Sequence, residues 1–125
     1  MTFVNSTHPY LACSPDGICV DKLIEVKCVW LGKWKNVNDL IADGKIKYIA
    51  SGQLKEKHRY YGQIQMNLGM LGLKKAELCL FSSYDSSIRV LNVERDDAFI
   101  NSLFEKLHFW YFTYYLPVIV REHLV

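Results

Sequence analysis

The sequence predicts a single α/β domain in which a mixed β-sheet is flanked by helices. Short apolar runs bounded by turn residues recur along the chain, and this pattern is typical of strands joined as hairpins. Between and after these runs lie segments whose apolar residues follow helical spacing. The 125 residues, half of them hydrophobic, are enough for one domain with a real core. The resulting order of β-β-β, helix, β-β, helix favours a mixed α/β sheet.

The first elements are three short strands. "YLAC" is predicted to be a strand, and Ser14–Gly17 ("SPDG") is a turn, because proline fixes φ and glycine permits the bend. "GICV" and "LIEVKCVW" then form a hairpin. Alternation places Glu25 and Lys27 on one face of the second of these strands. We expect the core to lie on the other face, with Ile24, Val26 and Cys28.

A short helix and a longer one are predicted in the middle of the chain. "NVNDLIADG" has an asparagine cap and a closing Gly44, whereas the basic stretch "KIKYIASGQLKEKH" is predicted to be irregular or partly helical. The segment 58–72 is the clearest helix. Gly62 and Gly69 lie opposite its apolar stripe, where another element can approach, and Gln65 is expected to be solvated. The stripe consists of Tyr61, Ile64, Leu68 and Leu71.

A second hairpin and a long helix complete the predicted fold. "AELCLFSSY" and "IRVLNVER" flank the turn "DSS", and Asp96 and Asp97 suit the first turn of a helix. The apolar run 107–120 is shorter than the roughly 20 residues that span a bilayer. We interpret it as a core helix with an aromatic packing face. A membrane surface is the less favoured alternative for this run.

Composition excludes few classes of function. The net charge of +2 does not by itself identify an anionic partner. The four cysteines form no C-x-x-C pair, and the first residues lack the basic start and apolar core of a signal peptide. The sequence therefore predicts an intracellular protein with reduced thiols and no membrane partner.

Three charged residues point to phosphodiester chemistry. If the strand carrying Glu25 and Lys27 pairs with the one that begins at Asp16, two carboxylates and an ammonium group converge. Carboxylates, a backbone carbonyl and waters are the oxygen ligands that Mg²⁺ prefers, and a lysine nearby could orient a water and offset charge on a phosphate. The alternative is an exposed hairpin with a cross-strand ion pair, which is the commoner origin of an isolated E-x-K.

The stretch "SPDGICVDKLIEVKC" resembles the P-D…(D/E)-x-K signature of a nuclease superfamily, and more narrowly the phage lambda exonuclease and YqaJ viral recombinase family. "HRYYGQIQMNLGMLG" is similar to that family's Y-x-x-Q-x-Q helix, and "LNVERDDAFINSLFEK" to its following strand and helix. The blocks occur in family order from about His8 to about Leu116. The resemblance implies a restriction-endonuclease-like fold.

The resemblance also implies roles for individual residues. Asp16 and Glu25 match the two carboxylates that bind metal, and Val26 matches the position whose backbone carbonyl contacts it. Lys27 matches the catalytic lysine, and Gln63 a glutamine that reaches into the site. The implied cofactor is Mg²⁺, with Mn²⁺ as a substitute. Ser14 matches a serine beside the active site, and Tyr60 lies one helical turn before Gln63; we expect both to contact DNA.

One feature departs from the family pattern. The family places another acidic residue on a helical segment before the P-D motif, where this chain has only about a dozen residues. We therefore interpret residues 1–125 as one YqaJ-like nuclease domain whose N-terminal helical part is missing. This departure puts catalytic competence in question.

A basic cluster before the central helix suits contacts to DNA phosphates, which position a duplex without reading its sequence. Taken singly, each of its lysines is better explained as a solvated side chain. Its members are Lys45, Lys47, Lys55, Lys57, His58 and Arg59.

The main hypothesis is a Mg²⁺-dependent exonuclease that acts on double-stranded DNA ends. The resemblance implies 5′-to-3′ digestion in recombination or repair. It also makes a homo-oligomer and a single-strand annealing protein partner worth testing. The alternatives are a non-catalytic DNA-binding module that keeps the fold, and an endonuclease of the same superfamily.

Overall fold

A computed structural model describes residues 2–29 and 36–123 of the chain. Its strands are β1 (Phe3–Val4), β2 (Ala12–Cys13), β3 (Gly17–Cys19), β4 (Lys22–Val29), β5 (Ile49–Ala50), β6 (Gln53–Leu54), β7 (Lys75–Ser82) and β8 (Ile88–Glu94). Its helices are α1 (Val37–Ala42), α2 (Arg59–Leu71), α3 (Asp97–Trp110) and α4 (Leu116–His123), with a π-helical turn at Tyr111–Tyr115 between the last two. Trp30, the predicted end of the second hairpin strand, lies outside the described residues.

The main sheet has four strands in the order β3-β4-β7-β8. Both predicted hairpins are present, because β3 pairs antiparallel with β4 and β7 pairs antiparallel with β8. The two hairpins join through parallel pairing of β4 with β7, and the chain between them supplies α1 and α2. The predicted fold class, a mixed α/β sheet flanked by helices, is confirmed.

The core lies on the face of the sheet that we did not predict. Along β4, the buried residues are Leu23, Glu25 and Val29, whereas Val26 is 49% exposed. Neighbouring β7 and β8 bury Leu78 and Leu91 beside Glu25 in the same cross-strand row. Both faces of β4 carry apolar residues, and the helices pack over only one of them. Glu25 therefore projects into the edge of the core.

Helix α2 begins and ends at the residues that the sequence indicated. The Nδ1 atom of His58 accepts a hydrogen bond from the N–H of Tyr60, and Gly72 ends the helix in the left-handed region at φ +68°. Tyr61, Ile64 and Leu68 are buried as predicted. These caps and this stripe fix the rotation of α2 about its axis.

The expectation for Gln65 was wrong, because its side chain is fully buried. Its Nε2 donates to the carbonyl of Glu94 at 2.8 Å, and its Oε1 accepts from the N–H of Asp96 at 2.8 Å. Gln65 therefore satisfies two backbone groups where β8 ends and α3 begins. The hydroxyl of Tyr61 donates to Asp96 at 2.7 Å at the same junction.

Helix α3 packs on α2 over the glycine side predicted for a close approach. A Cβ atom at Gly69 would lie 2.7 Å from Cγ2 of Ile100 and 3.2 Å from Cζ of Phe104, whereas one at Gly62 would lie 3.8 Å from Cζ of Phe99. Gly69 is thus required by the approach of α3, and Gly62 is not.

We expect Gly69→Ala to lower the free energy of unfolding by about 1–3 kcal/mol, because Ile100 must shift to admit the methyl group. Gly62→Ala should instead raise it by about 0.5–1 kcal/mol, since the added methyl meets ordinary contact distance and alanine favours the helix. Urea unfolding of both variants measures the difference. Equal effects at the two positions would contradict this account of the α2–α3 contact.

The segment between β4 and α2 is more regular than predicted. Helix α1 has the expected asparagine cap, in which Oδ1 of Asn36 accepts from the N–H of Asp39 at 2.9 Å. The basic stretch forms a small hairpin, β5–β6, instead of an irregular or helical segment. Its turn residues Ser51 and Gly52 both have positive φ, as a type I′ turn requires.

The aromatic run after residue 107 is not a core helix, so that prediction was wrong. The π-helical turn and α4 contain no buried residue, and Trp110, Phe112 and Tyr115 are about half exposed. The ring of Tyr10 stacks on Tyr111 at 4.3 Å where this helix leaves the domain. Among the described residues, no helix is long and apolar enough to cross a membrane.

Candidate active site

The first carboxylate of the site lies at the turn that leads into β3. Pairing of β3 with β4 runs from Gly17, opposite Ile24, to Cys19, opposite Lys22. Asp16 therefore stands just beyond the end of this ladder, beside the next residues of β4. There its Oδ2 accepts a hydrogen bond from the N–H of Val26 at 2.9 Å. The P-D-G turn thus brings Asp16 next to Glu25, as the strand-pairing argument predicted.

The second carboxylate, Glu25, is only 9% exposed. Its Oε1 accepts from Nδ2 of Asn67 at 2.9 Å, and the carboxyl group of Asp16 adjoins it. Burial raises the pKa of Glu25 most, and the adjoining Asp16 carboxyl group raises it further. Asn67 and the charge of Lys27 act in the opposite direction.

The close approach of the two carboxyl groups has a chemical meaning. Two ionised carboxylates side by side repel each other, so the pair is stable only with a shared proton or with a cation. Glu25 lies at the edge of the core, where water screens the repulsion less than at the open surface, whereas Asp16 is exposed. Asp16 and Glu25 are therefore suited to hold a positively charged group.

The backbone of Val26 adds a third oxygen. In a strand, the N–H and C=O of one residue point to the same edge. Since the N–H of Val26 points to Asp16 beyond the end of β3, we expect its carbonyl to lie on that side also. The three oxygen donors of the site are thus the carboxylates of Asp16 and Glu25 and the carbonyl of Val26.

This donor set fits a hard divalent cation. Mg²⁺ binds through one or two carboxylates and keeps several waters, which substrate phosphates can replace. Within residues 2–29 and 36–123, no group of three or more His, Cys, Asp or Glu side chains could hold a metal ion. Because zinc favours nitrogen and sulfur ligands, two carboxylates with a carbonyl suit Mg²⁺ or Mn²⁺ better, with further positions left to water or substrate.

Lys27 shares the face of β4 that carries Glu25, but its ammonium group lies against an aromatic ring. Its Nζ is 4.3 Å from the centre of the Tyr60 ring, a cation–π contact. Tyr60 in turn packs against Tyr48, with ring centroids 4.9 Å apart, and against His58 at 4.6 Å. Tyr60, in the first turn of α2, therefore contacts the lysine directly, and Tyr48 and His58 pack against Tyr60. These three residues form the aromatic cluster.

If the site hydrolyses DNA as the sequence motifs predict, Tyr60→Leu should lower that rate about tenfold, because the loss of a cation–π contact worth about 1–2 kcal/mol frees the Lys27 side chain. Tyr60→Phe keeps the ring and should retain the parent rate within about twofold. Steady-state digestion of duplex DNA measures both variants. A Phe variant as impaired as the Leu variant would show that the hydroxyl, and not the ring, is what matters.

Other predicted site residues lie around this centre. Gln63 is exposed on α2, one helical turn after Tyr60 and one before Asn67, and Ser14 is exposed directly after β2. Cys13, next to Ser14, is buried close enough to Glu25 that burial and the Glu25 charge raise the pKa of its thiol. The roles of Gln63 and Ser14 at the site remain predictions.

Of the predicted basic cluster, His58 is half-buried and the other five residues are exposed: Lys45, Lys47, Lys55, Lys57 and Arg59. The last three of these lie just before α2 or at its first residue. Lys55 and Lys57 lie between β6 and α2, and the Arg59 guanidinium is 5.5 Å from the centre of the Tyr60 ring. They therefore border the aromatic cluster that supports Lys27.

Sequence reasoning missed Asn67 as a site residue. Helical geometry put it on the face of α2 that carries Tyr60 and Gln63, but asparagine on a helix is a weak signal. What identifies it is the hydrogen bond to Glu25.

The arrangement of sheet and helices matches solved structures of a nuclease. A crystal structure of an alkaline exonuclease, LHK-Exo from Laribacter hongkongensis, superposes with a TM-score of 0.62 and 22% identity, over 86% of this chain and 50% of that chain. The structure of LHK-Exo in complex with dAMP superposes with a TM-score of 0.59 and 25% identity, over 81% of this chain and 47% of that chain. The chain has an alkaline-exonuclease-like fold.

This likeness extends over about half the length of LHK-Exo. No family model matches the chain, and no curated protein matches it. The comparison with LHK-Exo therefore establishes the fold. Activity has to be argued from the residues of the site.

Proposed function

We propose that this chain is a metal-dependent deoxyribonuclease domain that hydrolyses phosphodiester bonds at the ends of double-stranded DNA. The observation that carries the proposal is the pair of adjoining carboxyl groups, Asp16 and Glu25, with Lys27 on the same strand face. The fold shared with an alkaline exonuclease supports it. A nucleoside monophosphate such as the dAMP bound by LHK-Exo is the product class expected when nucleotides are released singly from a DNA end.

In this proposal the chain's own residues have distinct tasks. The carboxylates of Asp16 and Glu25 and the carbonyl of Val26 hold Mg²⁺, or Mn²⁺ in its place. When bound, such an ion polarises the phosphate and lowers the pKa of an adjoining water. Lys27 orients the attacking water and offsets the negative charge that builds up on the phosphate.

The exposed basic residues just before α2 and at its first residue bind the DNA. Lys55, Lys57 and Arg59 contact backbone phosphates, so they position a duplex of any sequence beside Lys27. Gln63 and Ser14, exposed at the margin of the site, contact the substrate near the reacting phosphate. Within the YqaJ-type family that the motifs resemble, the expected direction is 5′-to-3′, in recombination or repair. A homo-oligomer and an annealing partner belong to the same proposal.

The test is digestion of linear and covalently closed duplexes of the same sequence, each with Mg²⁺ and with EDTA. We expect loss of the linear duplex only with Mg²⁺, and an intact circle. Labels at the 5′ and the 3′ ends in separate reactions report the direction of digestion. Cleavage of the circle would favour the endonuclease alternative. Binding of DNA without digestion of either substrate would favour the non-catalytic module.

A further inference from the structure

Asn67 contacts the site without being a metal ligand of the proposed set. It is half-buried on α2, and its Nδ2–H donates to Oε1 of Glu25 at 2.9 Å. The carboxyl group of Asp16 adjoins Glu25, because Asp16 lies opposite it just beyond the β3–β4 pairing and accepts from the N–H of Val26. Glu25 is therefore held between a neutral donor on one side and the other carboxyl group on the other side.

The neutrality of the donor is chemically important. A glutamate side chain has three rotatable bonds. A hydrogen bond from a neutral donor to one carboxylate oxygen restricts these bonds and leaves the negative charge of the carboxylate in place. A lysine or arginine in the same place would neutralise the carboxylate and compete with a cation. The ammonium group of Lys27, two residues along β4, lies instead over the ring of Tyr60.

The geometry points to Asn67 as a positioning residue that aims the Glu25 carboxylate at Asp16 and so sets the affinity of this pair for a divalent cation. The inference rests on the proposed function, because it assumes that the two carboxylates bind a cation. Groups that hydrogen-bond to a ligating side chain typically change metal affinity about 10–100-fold when they are removed.

Helix α2 thereby orients both charged groups of β4. Tyr60 and Asn67 are seven residues apart, about two helical turns, and lie on one face of α2. Their partners Lys27 and Glu25 are two residues apart on one face of β4. One rigid helix thus fixes the two ends of the E-x-K motif separately, the acid by an amide and the lysine by a ring.

The test is calorimetric titration of the full chain with Mn²⁺ in the absence of DNA. Asn67→Ala removes the donor, and Asn67→Leu removes it while nearly conserving the shape of the side chain, which protects the fold. We expect both variants to bind Mn²⁺ at least about tenfold more weakly than the parent. The matched control is Asn92→Ala, an exposed asparagine on β8 in a row of the opposite sheet face, which should leave the dissociation constant within about twofold.

A second readout separates positioning from a general structural effect. Because the Asn67 variants keep both carboxylates and Lys27, excess Mn²⁺ should restore their rate of DNA hydrolysis to near the parent value. If the parent binds Mn²⁺ and both variants bind it equally well, or if their rate stays low at saturating Mn²⁺, the role of Asn67 is wrong and the proposed function stands. If the parent itself binds no Mn²⁺, the proposed function is wrong, and so is the role of Asn67 in metal binding.

Discussion

Replacing Glu25 by glutamine is expected to lower the rate of DNA hydrolysis on the order of 10³-fold while making the folded chain more stable at neutral pH. The loss of activity follows because a neutral amide is a poor ligand for Mg²⁺, and the charge stabilisation that the ion supplies is lost. Glutamine has nearly the same shape and its Oε1 can still accept from Asn67. The fold should therefore be retained.

The gain in stability follows from the position of the charge. Glu25 is buried beside Leu78 of the neighbouring strand and adjoins Asp16, and burial followed by Asp16 raises its pKa above the ordinary value of 4.5. The folded chain thus retains a proton at pH values where the unfolded chain has released it. The stability tied to this group is complete below pH 4.5 and is lost as the pH rises through the raised pKa.

Urea unfolding in metal-free buffer, at several pH values above 4.5, measures this effect. The parent should lose stability as pH rises through the folded pKa of Glu25, and Glu25→Gln should lose less. Glu94→Gln, at an exposed position of β8, is the matched control and should follow the parent in both activity and stability. A Glu25→Gln chain that digests DNA at the parent rate would exclude Glu25 from the active site.

The second large effect is expected at Gln65. Gln65→Leu should lower the free energy of unfolding by about 2–4 kcal/mol, because the Glu94 carbonyl and the Asp96 N–H lose their buried partner. The neighbouring Gln63 provides the control. Since Gln63 is exposed, Gln63→Leu should change stability by less than about 0.5 kcal/mol and instead reduce DNA hydrolysis.

Chemical denaturation and duplex digestion of the two variants separate these roles. We expect the stability loss only at Gln65 and the direct loss of activity at Gln63, although the residues are two apart in "QIQ". A destabilised Gln63→Leu together with an unaffected Gln65→Leu would contradict the orientation of α2 described above.

The parts of the fold that depend on local chemistry were predictable from sequence. Asn36, Gly72 and Asp96 cap helices where their residue types indicated, and the P-D-G turn directs Asp16 to β4. The glycine at position 69 admits α3 as expected. Each of these features is decided within a few residues, so the sequence pattern was sufficient.

The parts that depend on distant packing were not predictable. The β4 strand is apolar on both faces, with Leu23 and Val29 on the side of Glu25 and Val26 on the other, so the strand alone cannot say which face the helices cover. Gln65 is buried because β8 and α3 leave two backbone groups to satisfy beside it. The aromatic run beyond Trp110 has core-like composition, yet its rings lie mostly exposed.

For the site, the sequence located the charged residues but not the groups that hold them. Alternation correctly put Glu25 and Lys27 on one face, and the turn placed Asp16 beside them. The contacts of Asn67 with Glu25 and of Tyr60 with Lys27 depend on how α2 crosses the sheet. Those contacts involve residues separated by more than 30 positions, and no short motif encodes such a distance.

Anomalous diffraction from crystals soaked in Mn²⁺ shows directly whether Asp16 and Glu25 together bind a divalent cation. We expect an anomalous peak that contacts carboxylate oxygens of both residues at about 2.0–2.3 Å, beside the Val26 carbonyl. Asp16→Ala crystals soaked in the same way should lack the peak. Well-diffracting parent crystals with no peak between the two carboxylates, or with the ion bound elsewhere, would contradict the account.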